Sequence, residues 1–165
     1  MAEFVHIPVL KSEVVSLLCV KPNGIYVDGT IGGAGHAKAI LESEKIKLLI
    51  GIDQDEEALV AAKNNLKDFD NVKLIHGNFR DIDKILDSEN IENVDGILVD
   101  IGVSSHQIDE AERGFSFRTD AKLDMRMDRS KAFSAYELVN TYAEEELERV
   151  IRDYGEEKFA KSIAR

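Results

Sequence analysis

The sequence predicts an open, doubly wound α/β sheet. Four short apolar runs stand along the first hundred residues, helical-period segments separate them, and each run stops at a glycine-rich or acidic residue. Strands alternating with helices imply parallel pairing, with crossover helices covering the sheet.

Val9, Leu10, Val14, Leu17 and Leu18 are spaced for an amphipathic helix that the turn Lys21-Pro22-Asn23-Gly24 ends. The first strand, Ile25 to Val27, runs straight into Asp28-Gly29-Thr30-Ile31-Gly32-Gly33-Ala34-Gly35-His36, where the chain turns into a helix. The second strand, Leu48 to Ile52, stops at Asp53, and Glu56 to Leu66 is the next helix, with Ala58, Leu59, Ala62 and Leu66 on one face. Val72 to Ile75 is the third strand, ended by His76-Gly77-Asn78-Phe79, and Asp81 is placed to cap a short helix carrying Ile82, Ile85 and Leu86. Gly96 to Val99 is the fourth, ended by Asp100 and Gly102. From about residue 132 only helices follow; Thr141 and Glu144 have capping-box spacing before Glu145 to Tyr154, and Gly155 offers a stop.

The chain has 165 residues, 44% hydrophobic and 32% charged, a composition that excludes disorder and collagen-like repeats. Its one cysteine, Cys19, has no internal disulfide partner and no Cys/His pairing at zinc spacing, so no metal is expected and a reducing cytoplasm is the expected home. Glu3 and His6 break any secretory pattern at the start, and nothing approaches the ~18 continuous apolar residues of a membrane span. Lys and Arg number 21 against 32 Asp and Glu, a net charge of −11 that would repel nucleic acid if spread evenly. The charge is not even. Segment 113–131 holds six basic residues, Arg113, Arg118, Lys122, Arg126, Arg129 and Lys131, against Asp120, Asp124 and Asp128.

In open α/β sheets a ligand sits beyond the carboxyl ends of the strands, which here are Asp28 to His36, Asp53, Asn78-Phe79 and Asp100 to Gln107. Gly32, Gly33 and Gly35 let the backbone approach a ligand and leave helix N–H groups for an anion; a plain strand-to-helix turn asks for glycine equally. Asp53 is placed to accept both ribose hydroxyls of an adenosine, or else is a solvated strand end or a cap for the helix at Glu56. Phe79 can pack on an adenine face or fill the core, and His36 is a catalyst or a satisfied polar residue. A nicotinamide-dependent oxidoreductase shares the glycine loop and Asp53, but the G-x-G-x-x-G spacing is absent.

These residues lie in longer stretches that resemble the RsmH (MraW) family of S-adenosylmethionine-dependent methyltransferases. The matching stretches are His6-Ile-Pro-Val-Leu10, DGTIGGAGH at 28–36, GIDQD at 51–55, GNFRD at 77–81, DGILVDIGVSSHQID at 95–109, RGFSFRTDAKLDMRMD at 113–128 and GEEKFAKSIA at 155–164. The resemblance implies a Rossmann-like class I methyltransferase core over 1–112 and, over 113–165, a basic and aromatic segment with the start of a helical substrate-recognition insertion. It implies methyl transfer from S-adenosylmethionine to the exocyclic N4 of a cytidine in small-subunit (16S) ribosomal RNA. A cofactor-binding fragment without activity is the other outcome it allows.

The family's contacts carry over residue by residue. Ala34, Gly35 and His36 would meet the methionine part of the cofactor, Asp53 the ribose, Phe79 the adenine region, and Asp100 and Gln107 the neighbourhood of the sulfonium. Asp100 is the expected catalytic residue, since a carboxylate that draws on the cytosine amino hydrogens makes that nitrogen more nucleophilic; positioning the cofactor or capping a turn is its other role. Arg113, Phe115, Phe117, Arg118 and Arg126 would supply charge and stacking faces for RNA, or form a bend whose charges pair locally. Ala34 stands where many relatives have glycine, which a negative φ would tolerate. Arg165 falls mid-pattern, before the last strands expected of the family.

Overall fold

The computed structural model describes residues 8–165; Glu3 and the start of the His6–Leu10 stretch lie outside the described residues. The chain divides into two compact units, Met1–Ser104 and Ser105–Arg165. The resemblance draws the line between core and insertion eight residues later, after Glu112.

The first unit is built on four strands, β1 (Ile25–Asp28), β2 (Leu48–Asp53), β3 (Val72–His76) and β4 (Gly96–Leu98). They lie in the order β3-β2-β1-β4, and every pair is parallel. Between them run α1 (Lys11–Leu17) before β1, α2 (Gly35–Ser43), α3 (Glu56–Asn65) and α4 (Ile82–Ser88). Because side chains alternate along a strand, the registered pair Tyr26 and Leu49 faces one side of the sheet and the pair Val27 and Ile50 the other. Tyr26 and Leu49 join Ala37 and Ile40 of α2, Ala62 of α3 and Leu66 in one core. Val27, Ile50 and Ile52 form the other, against Ile82, Ile85 and Leu86 of α4. The sheet is therefore covered on both faces, as the alternating pattern predicts, and each fully buried Ile or Leu contributes roughly 1.5–3 kcal/mol.

Gly51 sits mid-strand for a steric reason. A Cβ there would lie 2.8 Å from Ile31 and 2.9 Å from Leu74, so its absence lets the loop after β1 press onto β2.

Two caps differ from the expectation. Asp81 stands at the start of α4, yet its carboxylate pairs with Lys84 at 2.6 Å and Arg80 at 3.3 Å; the capping is done by Asn78, whose side chain accepts from the Arg80 amide ahead of a 3₁₀ turn, Phe79–Asp81. In the helical unit the capping box belongs to Ser134 and Glu137, not to Thr141 and Glu144.

The second unit holds α5 (Ser105–Asp109), a 3₁₀ turn at Ala111–Arg113, α6 (Ala135–Thr141), α7 (Glu144–Gly155) and α8 (Ala160–Ala164). Gly155 is the last residue of α7, and the left-handed residue that ends it is Glu156, at φ 52°. Among the described residues no helix is long and apolar enough to cross a membrane.

Candidate functional site

Polar groups of the first unit converge at the carboxyl ends of the strands. The loop after β1 is pinned on both sides: the Gly29 amide donates to the Leu98 carbonyl at 2.8 Å and the Ile31 amide to the Ile52 carbonyl at 2.9 Å. Its tip is held by carboxylates. Asp28 accepts from the Thr30 amide at 3.1 Å, and Asp53 accepts from the Gly32 amide at 2.9 Å through one oxygen and from the Asp55 amide at 3.0 Å through the other. Asp55, not Asp53, caps α3 by accepting from Glu57.

An ionised carboxylate offers about four acceptor positions, so Asp53 keeps acceptor capacity beside the Gly32 and Asp55 amides it holds and the Gln54 amide that also acts on it. It is half-buried at the strand end, and burial raises its pKa against the pull of the Asp55 and Gly32 amides. Gly32 takes φ +49°, and a Cβ on Gly33 would meet nothing within 4 Å, so the loop borders open space beside the Asp53 carboxylate.

Asp28 is sealed from water at the end of β1, and this burial lifts its pKa to about 6; the Thr30 amide and His36 act against the shift, while Asp53 and Asp100 reinforce it. The sequence reading placed Asp28 at a strand end without a role of its own. Its signal is its position, directly before a glycine loop. Thr30 is the second residue that reading passed over: its hydroxyl accepts from the Asp100 amide at 2.7 Å, tying the end of β4 to the loop after β1.

Ala34 occupies the left-handed region at φ 64°, as the N-cap of α2, which corrects the negative φ expected of it. Gly35 follows with Pro8 against it; a Cβ would come within 2.3 Å of the proline ring. His36 is buried, and its Nε2 meets the Val9 carbonyl at 2.7 Å, so that nitrogen carries a proton and the ring anchors the segment before α1. Phe79 is half-buried at the first position of its 3₁₀ turn, 3.0 Å from where a Gly29 side chain would begin. Asp100 is exposed beyond β4. Asp28, Gly32, Ala34, Asp53, Phe79 and Asp100 thus occupy one end of one sheet.

A surface groove of about 520 Å³ opens at the opposite end, where the strands begin, lined by Ile25, Leu48, Lys73, Glu89 and their neighbours. Lys73 and Glu89 pair with each other across it, which neutralises its charge. The glycine loop and the strand-end carboxylates are absent from it.

Gln107 lies buried in α5 of the second unit. The residues expected to meet RNA separate by orientation. Arg113 is 2% exposed and donates to the carbonyls of Arg126 and Met127 at 3.0 and 3.3 Å, which makes it an internal clamp of the 113–127 loop instead of a surface cation. Arg126 is also turned inward, its guanidinium forked onto the buried Asp124 at 2.6 and 2.8 Å and reaching the Lys131 carbonyl at 2.5 Å. That fork holds the Asp124 carboxyl down at about 2. Phe115 is half-buried, whereas Phe117 and Arg118 are fully or largely exposed. Locally paired charge accounts for Arg126 with Asp124 and Lys131 with Asp128.

Comparison with known proteins places these features in a family. The model of the MraW methylase family matches residues 3–165. The ribosomal RNA small subunit methyltransferase H of Clostridium botulinum (strain Loch Maree / Type A3) is 57% identical over 99% of this chain and 53% of its own length. The protein of the same name from Clostridioides difficile (strain 630) is 51% identical over the same shares. The chain therefore spans about half the length of the curated relatives it matches. Among solved structures, a Streptococcus mutans protein in complex with SAH superposes with a TM-score of 0.50 at 22% identity, over 61% of this chain and 56% of that one, a likeness of fold. The sheet order, the glycine loop anchored between two strand-end carboxylates and the match over residues 3–165 together establish that this chain belongs to the MraW methylase family.

Proposed function

We propose that the chain carries the S-adenosylmethionine site of an enzyme that methylates the exocyclic N4 of a cytidine in small-subunit ribosomal RNA. The observation that carries this reading is Asp53, fixed at the end of β2 by the Gly32 and Asp55 amides with acceptor capacity left beside an open glycine loop. A ribose diol asks for acceptor capacity on one rigid group, and the rigidly held Asp53 carboxylate suits that demand.

The residues present suit the rest of the group. Asp53 would hold the ribose, the Phe79 ring the adenine region, and the backbone from Gly32 to His36 the methionine part. When bound, S-adenosylmethionine supplies an electrophilic methyl on a sulfonium. The chain's task is to place and activate the acceptor. Asp100, exposed beyond β4 with its amide fixed by Thr30, would accept a hydrogen bond from the cytosine amino group and so return lone-pair density to the nitrogen. Asp28 and Thr30 would act as positioning residues, holding the loop on which that geometry depends. The exposed Phe117 and Arg118 belong to the RNA side of this proposal.

Calorimetric titration tests the reading. S-adenosylmethionine and S-adenosylhomocysteine should bind and NAD should not. Asp53→Ala should weaken binding by about one to two decades for each hydrogen bond lost, at roughly 1.5–3 kcal/mol per bond to a charged group. Unchanged affinity in that variant would remove Asp53 from the site. Methyl transfer to small ribosomal subunits, compared with free rRNA, identifies the acceptor.

A further inference from the structure

We infer that Tyr136, with Lys122 seated over its ring and Phe133 at the same helix start, is a stacking platform for an unpaired base of single-stranded RNA. The inference rests on the RNA-methyltransferase reading above and adds where the RNA is held; neither residue pair stands out in the sequence.

The Lys122 ammonium lies 5.5 Å from the Tyr136 ring centroid, an arrangement in which the ring quadrupole holds a cation. Tyr136 is 48% exposed and Phe133 50%, although buried aromatic rings contribute most to a core. Both rings are braced. Phe133 packs at 5.8 Å and 32° against Tyr142, and Tyr136 sits on the first turn of α6, whose start is fixed by the Ser134–Glu137 capping box. Glu137, whose carboxylate feels the Lys122 charge, is held by the Ser134 amide and hydroxyl, and Lys122 itself is exposed.

Charge selects the occupant. The chain carries −11 overall, yet 113–131 has twice as many basic as acidic residues, and Arg113 and Arg126 are spent inside the loop. Lys122 and Arg118 remain at the surface, and the Lys122 charge lies against the exposed Tyr136 ring. An apolar protein partner gains nothing from a desolvated ammonium on its contact ring, whereas a stacked nucleotide brings phosphates to it. The amino group of cytosine lies on its pairing edge, so a target base must be unpaired, and its strand offers ring faces that a duplex hides.

Fluorescence anisotropy with a labelled single-stranded oligoribonucleotide, and with the same strand annealed to its complement, reads the platform directly. Tyr136→Ala should weaken single-strand binding about 5- to 150-fold, the range of one lost stack, while Tyr136→Phe keeps it. Lys122→Met should weaken it less and lower the slope of log affinity on log salt by about 0.7, one phosphate contact on a single strand. Should Tyr136→Ala alter the circular-dichroism melt, Phe133→Ser and Lys122→Met carry the test. Unchanged single-strand affinity in the folded variants, no binding by the parent chain, or an equal loss for duplex and single strand overturns the inference. Calorimetry with S-adenosylmethionine on the same samples keeps the two readings apart: lost stacking with no cofactor binding removes the methyltransferase reading and leaves the platform, and the reverse removes only the platform.

Discussion

Asp28 combines a buried carboxyl with a pKa raised to about 6, and that combination sets a pH window. Unfolded, the group titrates near the ordinary ~3.9, so the native chain binds its proton more tightly. The stability this contributes is complete below about pH 4 and is lost as pH rises through 6, an amount on the order of 3 kcal/mol. Asp53 is shifted in the same direction by its own burial and adds to the same trend. Asp28→Asn keeps an oxygen for the Thr30 amide and cannot ionise. Its stability relative to the parent, followed by urea denaturation, should therefore grow between about pH 4 and 6 and level off above; a gap that does not change with pH would place the Asp28 charge elsewhere. Ala34 gives a second residue-scale outcome. A left-handed alanine costs roughly 1–2 kcal/mol, so Ala34→Gly should leave stability unchanged or higher by up to about 1 kcal/mol, whereas Ala37→Gly, inside α2, should lose about 1 kcal/mol or more. Equal losses at both positions would contradict the strained φ. The position of Asp53, at the stop of the second apolar run after a glycine loop, made it legible as a strand-end acceptor. The inward turn of Arg113 was not legible, because an arginine is sorted to core or surface by the loop that folds around it.

At the scale of elements, the caps separate what spacing can tell from what it cannot. Thr141 and Glu144 match the capping-box pattern, but α7 starts after Ala143 with no side-chain cap, and the Thr141 hydroxyl donates to the Glu137 carbonyl at 2.7 Å, closing the turn before. The box forms at Ser134, where the chain enters α6 in extended conformation and both reciprocal bonds exist. Ser134→Ala should cost about 1 kcal/mol, and Thr141→Ala no more than about 0.5 kcal/mol, in chemical denaturation of the chain. A larger loss at Thr141 would restore the sequence assignment. The strands were legible for a different reason. Each is an apolar run stopped by a polar residue, and β1, β2 and β3 differ from the expected bounds by the single residue that lengthens each; β4 is one residue shorter. Burial on both faces of the inner strands β1 and β2 leaves those runs no room for polar positions before their ends, so the pattern survives there without periodicity. The helix starts depend on backbone entry angles that residue spacing does not encode.

For the whole chain, the two edges of the sheet are unequal, and the difference predicts behaviour in solution. The outer strand β3 exposes Lys73 and His76, with Lys73 paired to Glu89, and a charged edge disfavours further strand pairing. The other outer strand, β4, has no charge from Gly96 to Val99; Ile97 is 47% exposed, and Ile101 beyond it 80%. Backbone N–H and C=O groups on such an edge are a template for another strand. We therefore expect concentration-dependent self-association of this chain through β4. One strand pair buries less than the ~1,200–2,000 Å² of a stable interface, so the dissociation constant should fall between about micromolar and millimolar. Sedimentation velocity over a concentration series measures it. Ile97→Lys places on β4 the charge that β3 already has and should return the chain to a monomer, while Val60→Lys, on the exposed face of α3, should leave association as it was. If both lysines act alike, general apolar surface and not the strand edge drives association; a parent chain that stays monomeric across the series would show that the β4 edge does not pair.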